Sequence, residues 1–186
     1  MGTKGTTRYR IWDQNALNYI TIATVYWIDI FTRRIYKDIV INSLDYCRRE
    51  KGLVLNAYVI MSNHLHIIVR AREGFKLSNI IRDFKRHTAK RIIKEIKENI
   101  KESRTEWILE LLQRAGAENS KNKMYQFWRQ DNHPIELYTN TVIEEKLNYI
   151  HNNPVKAGVV ENSEDYLFSS ARNYAEMEAL IEIDLL

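Results

Sequence analysis

The spacing of apolar positions changes along the chain, and each change marks a separate element. Residues 17–28 alternate Leu17, Ile20, Ile22, Val25 and Ile28 with aromatic and β-branched neighbours, which predicts a first strand ending in a bend. Over 36–50 the apolar residues Ile39, Val40, Leu44 and Cys47 fall near helical spacing, and Gly52 ends that helix. Leu53–Met61 and His64–Ala71 read as two strands with Ser62-Asn63 near the turn, or as one bent strand. From Leu77 to Ile100 the positions Leu77, Ile81, Phe84, Thr88, Ile92, Ile96 and Ile100 step round one face of a long amphipathic helix. Glu106–Arg114 forms a shorter helix ended near Gly116, residues 117–123 are polar and looped, and Met124–Arg129 is a short aromatic strand or extended segment. Thr141–Asn153 forms a last helix, capped by Asn140 or Thr141 with Glu144 in its first turn, and Pro154 stops it.

Strand, helix, strand, strand, long helix, strand and helix in that order fit an α+β sandwich of ferredoxin-like (RRM-like) type, an antiparallel sheet with helices on one face. The 186 residues suit a single domain, 1–186, with enough apolar content (45%) for one core. No apolar run is long enough to span a membrane, and residues 1–7 lack a secretory signal. The single cysteine, Cys47, excludes an internal disulfide framework and fits a cytoplasmic location.

Charge alters this picture more than composition does. The net charge is only +4, but Arg70–Lys101 holds 11 Lys/Arg against 4 Asp/Glu, while residues 160–186 hold 1 Arg against 7 acids. The basic stripe, with Arg82, Lys85, Arg86, Lys90, Lys94, Lys97 and Lys101 away from the apolar face, suits either a polyanion or plain solvation. The acidic segment 160–186 could fold over the domain and gate a site, or pack elsewhere.

Two constellations carry candidate chemistry. In Asn63-His64-Leu65-His66-Ile67 the two imidazoles are two residues apart on a strand, so they project to one face about 7 Å apart along the chain. Core histidines held by hydrogen bonds are the plain alternative. Two on one strand face favour a metal, although two ligands do not complete a closed site. In Tyr149-Ile150-His151-Asn152-Asn153-Pro154, Tyr149 and Asn153 are i and i+4 and share a helix face. His151 lies roughly 200° round from Tyr149 and should point away. Tyr125, Phe127 and Trp128 are aromatic candidates for stacking on single-stranded bases. His133, before Pro134, is a weak candidate for a spare acid or base.

The motif Ser62-Asn63-His64-Leu65-His66, followed downstream by Tyr149-Ile150-His151-Asn152-Asn153-Pro154-Val155-Lys156-Ala157-Gly158-Val159, resembles the single-tyrosine transposases of the His-hydrophobic-His class. Within them it most resembles the REP-associated tyrosine transposases, and Tyr166-Leu167-Phe168-Ser169-Ser170-Ala171 also fits that branch. The resemblance runs from about Tyr19 to Ser170. It implies a ferredoxin-like fold and a divalent ion, magnesium or manganese, held by His64 and His66. Asn153 stands in the third ligand position, where mobile-element relatives often carry glutamine. It further implies that Tyr149 is the nucleophile, nicking and rejoining single-stranded or hairpin DNA through a 5′-phosphotyrosine, by a protein acting as a monomer or homodimer. Lys85, Arg86, Lys90 and Lys94 are then candidate phosphate contacts and Trp128 a candidate stacking residue.

Two rival readings stand beside this one. A non-catalytic nucleic-acid-binding or repressor protein could use the same scaffold, although a decayed site need not keep Tyr149, His64 and His66 together. A phosphodiesterase or RNA nuclease using the histidines as acid and base would need a second His-x-Thr/Ser motif, and the sequence has none.

Overall fold

The computed structural model describes residues 11–119 and 124–186. Residues 1–7, read above for a signal segment, and 120–123, part of the expected polar loop, lie outside it. Four antiparallel strands form one sheet in the order β2-β3-β1-β4: β1 Asn18–Ala23, β2 Leu53–Ile60, β3 His64–Ala71 and β4 Ile135–Glu136. The helices are α1 Arg34–Glu50, α2 Leu77–Glu98, α3 Thr105–Ala117, α4 Asn140–Lys156 and the short α5 Ala171–Tyr174. The chain is thus an α+β protein with α1 and α2 packed together on one face of its sheet. Among the described residues no helix is long and apolar enough to cross a membrane.

Register explains how the sheet divides its faces. Leu65, Ile67 and Val69 alternate with His64, His66 and Ile68 along β3, and β1 pairs Ile20 with Ile67 and Thr21 with His66. One face is therefore aliphatic, with Ile20, Ile22, Leu65 and Ile67 fully buried. The other carries Tyr19, Thr21, His64 and His66. Helices α1 and α2 pack on each other, while α4 contacts β2 and β3 and brings Tyr149 against the histidine face. Burial of Ile150, the residue after Tyr149, anchors α4 there.

Several boundaries differ from the sequence reading. The first strand ends at Ala23, followed by two 3₁₀ turns, Val25–Trp27 and Ile30–Thr32. β2 and β3 are separate strands, joined by a tight turn in which Met61 N–H donates to the His64 carbonyl. Ile100 lies past the end of α2 and is 98% exposed, so the apolar stripe stops at Ile96. α3 ends at Ala117, beside Gly116 as expected, and a Cβ on Gly116 would run into the Met124 carbonyl oxygen.

The aromatic segment Met124–Arg129 is not a strand. It makes one isolated bridge, Thr24 to Trp128, and sheet pairing passes instead to Ile135–Glu136. Pro154 also fails to stop the last helix. The helix runs to Lys156 and closes on Gly158, whose φ of 68° lets Val159 N–H reach the Pro154 carbonyl and Gly158 N–H the Val155 carbonyl. Proline forfeits only the bond its own N–H would have made to Ile150, a small loss in a last turn. Thr139 caps the other end, accepting from Val142 N–H.

The acidic C-terminal segment lies along the outer edge of β2. Ser170 N–H donates to the Tyr58 carbonyl and Asp184 N–H to the Leu55 carbonyl, while Asn56 Nδ2 donates to the Asp184 carbonyl. These bonds cover an edge that would otherwise offer free backbone groups.

Candidate active site

Strand period and helix period together assemble the site. On β3, His64 and His66 stand side by side with ring centroids 4.6 Å apart. On α4, Tyr149 presents its ring edge-on to His66 at 5.3 Å and remains 40% exposed. Asn153 follows one turn later on the same helix face and is half-buried.

Each imidazole is held by its Nδ1 side. His64 Nδ1 lies 2.7 Å from Asn63 Oδ1, an acceptor when the amide is oriented that way, so Nδ1 carries the proton. His66 Nδ1 lies 2.7 Å from the Tyr19 hydroxyl and 2.9 Å from Thr21 Oγ1. His66 Nε2 is buried and has no hydrogen-bond partner. Burial lowers the His64 pKa. Burial, followed by the charges of His64 and Lys146, pushes that of His66 down to about 3. Both rings are therefore neutral at physiological pH. When both Nδ1 atoms donate, each ring keeps an Nε2 lone pair, the form in which imidazole binds a metal.

The donor set limits what could be bound. Among the described residues no cluster of three or more His, Cys, Asp or Glu side chains is placed to hold a metal. An ion on His64 and His66 would have to complete its shell with neutral oxygen donors, such as the Asn153 amide, and with substrate or water. The orphaned His66 Nε2 fits such an ion, and an incomplete protein shell leaves places for a phosphate.

Several members of the site were not found by sequence reasoning. Tyr19 and Thr21 support His66 from β1. Lys146 Nζ lies 5.0 Å from the Tyr19 ring and 6.0 Å from that of Tyr149, and Lys156 Nζ lies 5.7 Å from the Tyr149 ring. A signal for them existed: Lys146 and Lys156 are i−3 and i+7 from Tyr149, on its helix face.

The remaining candidates are dispersed. Trp128 is a core residue, stacked on Phe31 at 5.6 Å with its Nε1 donating to Thr88 Oγ1 at 3.0 Å. Lys85 turns inward and donates to the Arg129 carbonyl at 2.7 Å and to Asn132 Oδ1 at 2.5 Å. Burial lowers its pKa to about 8. Arg86 pairs with Asp83, Lys94 lies 3.8 Å from Glu98, and Lys90 lines a cleft between α1 and α2. His133 Nε2 lies 2.8 Å from Asp131. His151 does point away from Tyr149, with Nε2 at 2.9 Å from Ser170 Oγ.

Comparison with known proteins adds the family. A family model described as IS200-like transposase matches residues 14–108, just over half of the chain. The chain belongs to this family. The matched stretch covers β1 to the start of α3, including His64 and His66, and ends before Tyr149. Among solved structures, the chain is similar to one described as a REP-associated tyrosine transposase bound to a REP hairpin. That likeness has a TM-score of 0.65 at 15% identity, over 99% of this chain and 92% of the other. It also resembles a candidate transposase from Deinococcus radiodurans R1, with a TM-score of 0.46 at 16% identity over 81% of this chain and 97% of the other. No curated protein sequence matches the chain.

Proposed function

We propose that the protein nicks and rejoins single-stranded or hairpin DNA by transesterification, with Tyr149 as nucleophile and a divalent ion, magnesium or manganese, held by His64, His66 and Asn153. The observation that carries the reading is one half-exposed phenol set edge-on to His66, the member of a neutral imidazole pair whose Nε2 is orphaned. Membership of a transposase family supports a DNA substrate, and the hairpin in the related structure supports its form.

Tyr149 Oη bonds to phosphorus and the bond from phosphorus to O3′ breaks. The departing strand takes up a proton and keeps a free 3′-OH, while the 5′ end stays on the tyrosine. The phenolic proton passes to solvent, which reaches this half-exposed side chain. The ammonium groups of Lys146 and Lys156, 6.0 and 5.7 Å from the Tyr149 ring, put positive charge beside a phosphate that approaches this side chain. A bound divalent ion would polarise the phosphate and offset the charge that develops on it. Attack of another 3′-OH on the phosphotyrosine restores the phenol and joins strands without an external energy source.

The test is direct. Wild type and Tyr149→Phe are incubated with single-stranded hairpin DNA and Mn²⁺ or Mg²⁺, then run on a denaturing gel. Wild type gives a covalent protein–DNA adduct that a chelator abolishes, and the variant gives none. An adduct formed equally by Tyr149→Phe refutes the assignment.

A further inference from the structure

The geometry points to a second part of the site: a cleft beside His64 that takes the unpaired base of a nucleotide next to the reacting phosphate, with Trp27 as its stacking platform. This rests on the DNA-transesterification reading above and adds where the single strand lies.

The cleft has a volume of about 610 Å³ and lies between the 25–27 turn, the end of α3 and residues 126–131. That size falls within the usual range for small-molecule sites, roughly 300–1,000 Å³. Tyr26 and Trp27 form its wall and are 46% and 48% exposed. The Tyr26 hydroxyl donates to Glu118 at 2.6 Å, which leaves the Trp27 indole as the ring surface available for stacking. The Trp27 ring meets His64 edge-on at 5.7 Å, so the platform adjoins the phosphate site directly.

The backbone is bent to produce this wall. Tyr26 and Trp27 are consecutive and both left-handed, with φ of 51° and 55°, a conformation bulky residues avoid. Such strain persists only where the surroundings over-determine it, and here they do. Thr24 N–H donates to the Asn63 carbonyl, Val25 N–H to that of Phe127, and Ile28 N–H to that of Val25. Asn63 Nδ2 donates to the Trp27 carbonyl while its Oδ1 meets His64 Nδ1, so one side chain ties platform and histidine together.

The charges indicate which part of a nucleotide fits. Arg129 lies over the Trp27 ring at 5.6 Å, but Glu118 and Asp131 also line the cleft, leaving a formal balance of −1. A surface of that sign does not take phosphates. The carboxamide of Gln130 and the guanidinium of Arg129 suit base edges, and the indole suits a base face. Phosphates belong on the other side of His64, toward Lys146 and Lys156.

The experiment measures binding alone, with Tyr149→Phe protein as background and no divalent metal. The probes are a fluorescent single-stranded oligonucleotide of mixed sequence and the same oligonucleotide with abasic residues throughout, which keeps the phosphates and removes the bases. Trp27→Ala should weaken binding of the ordinary probe about tenfold, leave its salt slope unchanged, and leave binding of the abasic probe unaltered. Trp27→Phe, which keeps a ring, should recover most of the loss. Equal binding of the ordinary probe by Trp27→Ala and its background, or an equal loss on both probes, overturns the base cleft and leaves the nicking reading intact. Failure of the background protein to bind either probe overturns the DNA reading itself.

Discussion

Removing the hydroxyls behind His66 tests whether its Nε2 is aimed at a metal. Tyr19 and Thr21 both reach His66 Nδ1, at 2.7 and 2.9 Å. In Tyr19→Phe the ring survives, and with it the stack on His66 at 5.4 Å, so the fold should lose little. Thr21 can still hold Nδ1. The single variant should therefore lose about one hydrogen bond's net worth, ~1 kcal/mol, or roughly fivefold in Mn²⁺ affinity. Tyr19→Phe with Thr21→Val removes both partners and frees the ring to turn or change tautomer. That should weaken Mn²⁺ binding between about 10- and 100-fold, as for other residues that orient a ligating histidine. Calorimetric titration with Mn²⁺ gives the affinity, adduct formation on hairpin DNA the activity, and thermal melting the control. A double variant that melts as wild type does and binds Mn²⁺ equally well would refute the role given to His66 Nε2. A Tyr19→Phe variant that binds metal normally and forms no adduct would instead make Tyr19 the nucleophile.

Two further predictions concern residues outside the reacting groups. Lys85→Met strips the partner from the Arg129 carbonyl and Asn132 Oδ1 and should cost about 2 kcal/mol of stability in chemical denaturation. The salt slope of DNA binding should be unchanged, because the ammonium is turned inward; a slope shallower by about one would return Lys85 to the phosphate contacts. Glu102 is buried against Arg33 at 2.7 Å and Arg104 at 3.1 Å, with the Tyr36 hydroxyl at 3.0 Å. Burial acts to raise its pKa, but the bonds from Arg104, Tyr36 and Arg33 hold it below the ordinary value. A carboxyl with a depressed folded pKa stabilises the fold above its unfolded pKa of about 4.5, and that stability is lost as pH falls through the folded value. Glu102→Gln should cost about 3 kcal/mol at neutral pH and flatten the acid limb of the stability curve. An unchanged limb would refute the assignment.

What could be read from the sequence followed from period, and what could not depended on which side of an element faces inward. His64 and His66 share a face because a strand repeats every two residues, and Tyr149 and Asn153 because a helix brings i and i+4 together. Neither relation needs tertiary information. Of the two readings of Met124–Arg129, the extended segment holds and the strand does not, because its aromatic residues are buried by irregular packing: Trp128 wedges against Phe31 and Thr88 without extending the ladder. The real fourth strand, Ile135–Glu136, is two residues long and has no alternation to read. Lys85 looked like the solvent face of α2, yet the loop of residues 129–132 closes over it. Pro154 looked like a terminator because the compensating bonds of Gly158 and Val159 are invisible in a propensity scale.

The choice of nucleophile rests on contrast between two phenols, because the family match ends at residue 108 and does not reach α4. Tyr19 is 6% exposed, with its oxygen 2.7 Å from His66 Nδ1. Burial is the main reason its pKa rises to about 12; the Thr21 bond opposes this and the nearby Tyr149 adds to it. Such a group stays protonated, and a phosphate cannot approach it. Tyr149 has the opposite environment, open to solvent, flanked by Lys146 and Lys156 and set edge-on to His66. A phosphodiester lying over the two imidazoles would meet only the second phenol. Tyr19 acts instead as a neutral phenol that holds His66. Lys146 spans both rings, so the residue that holds His66 and the proposed nucleophile share one cation.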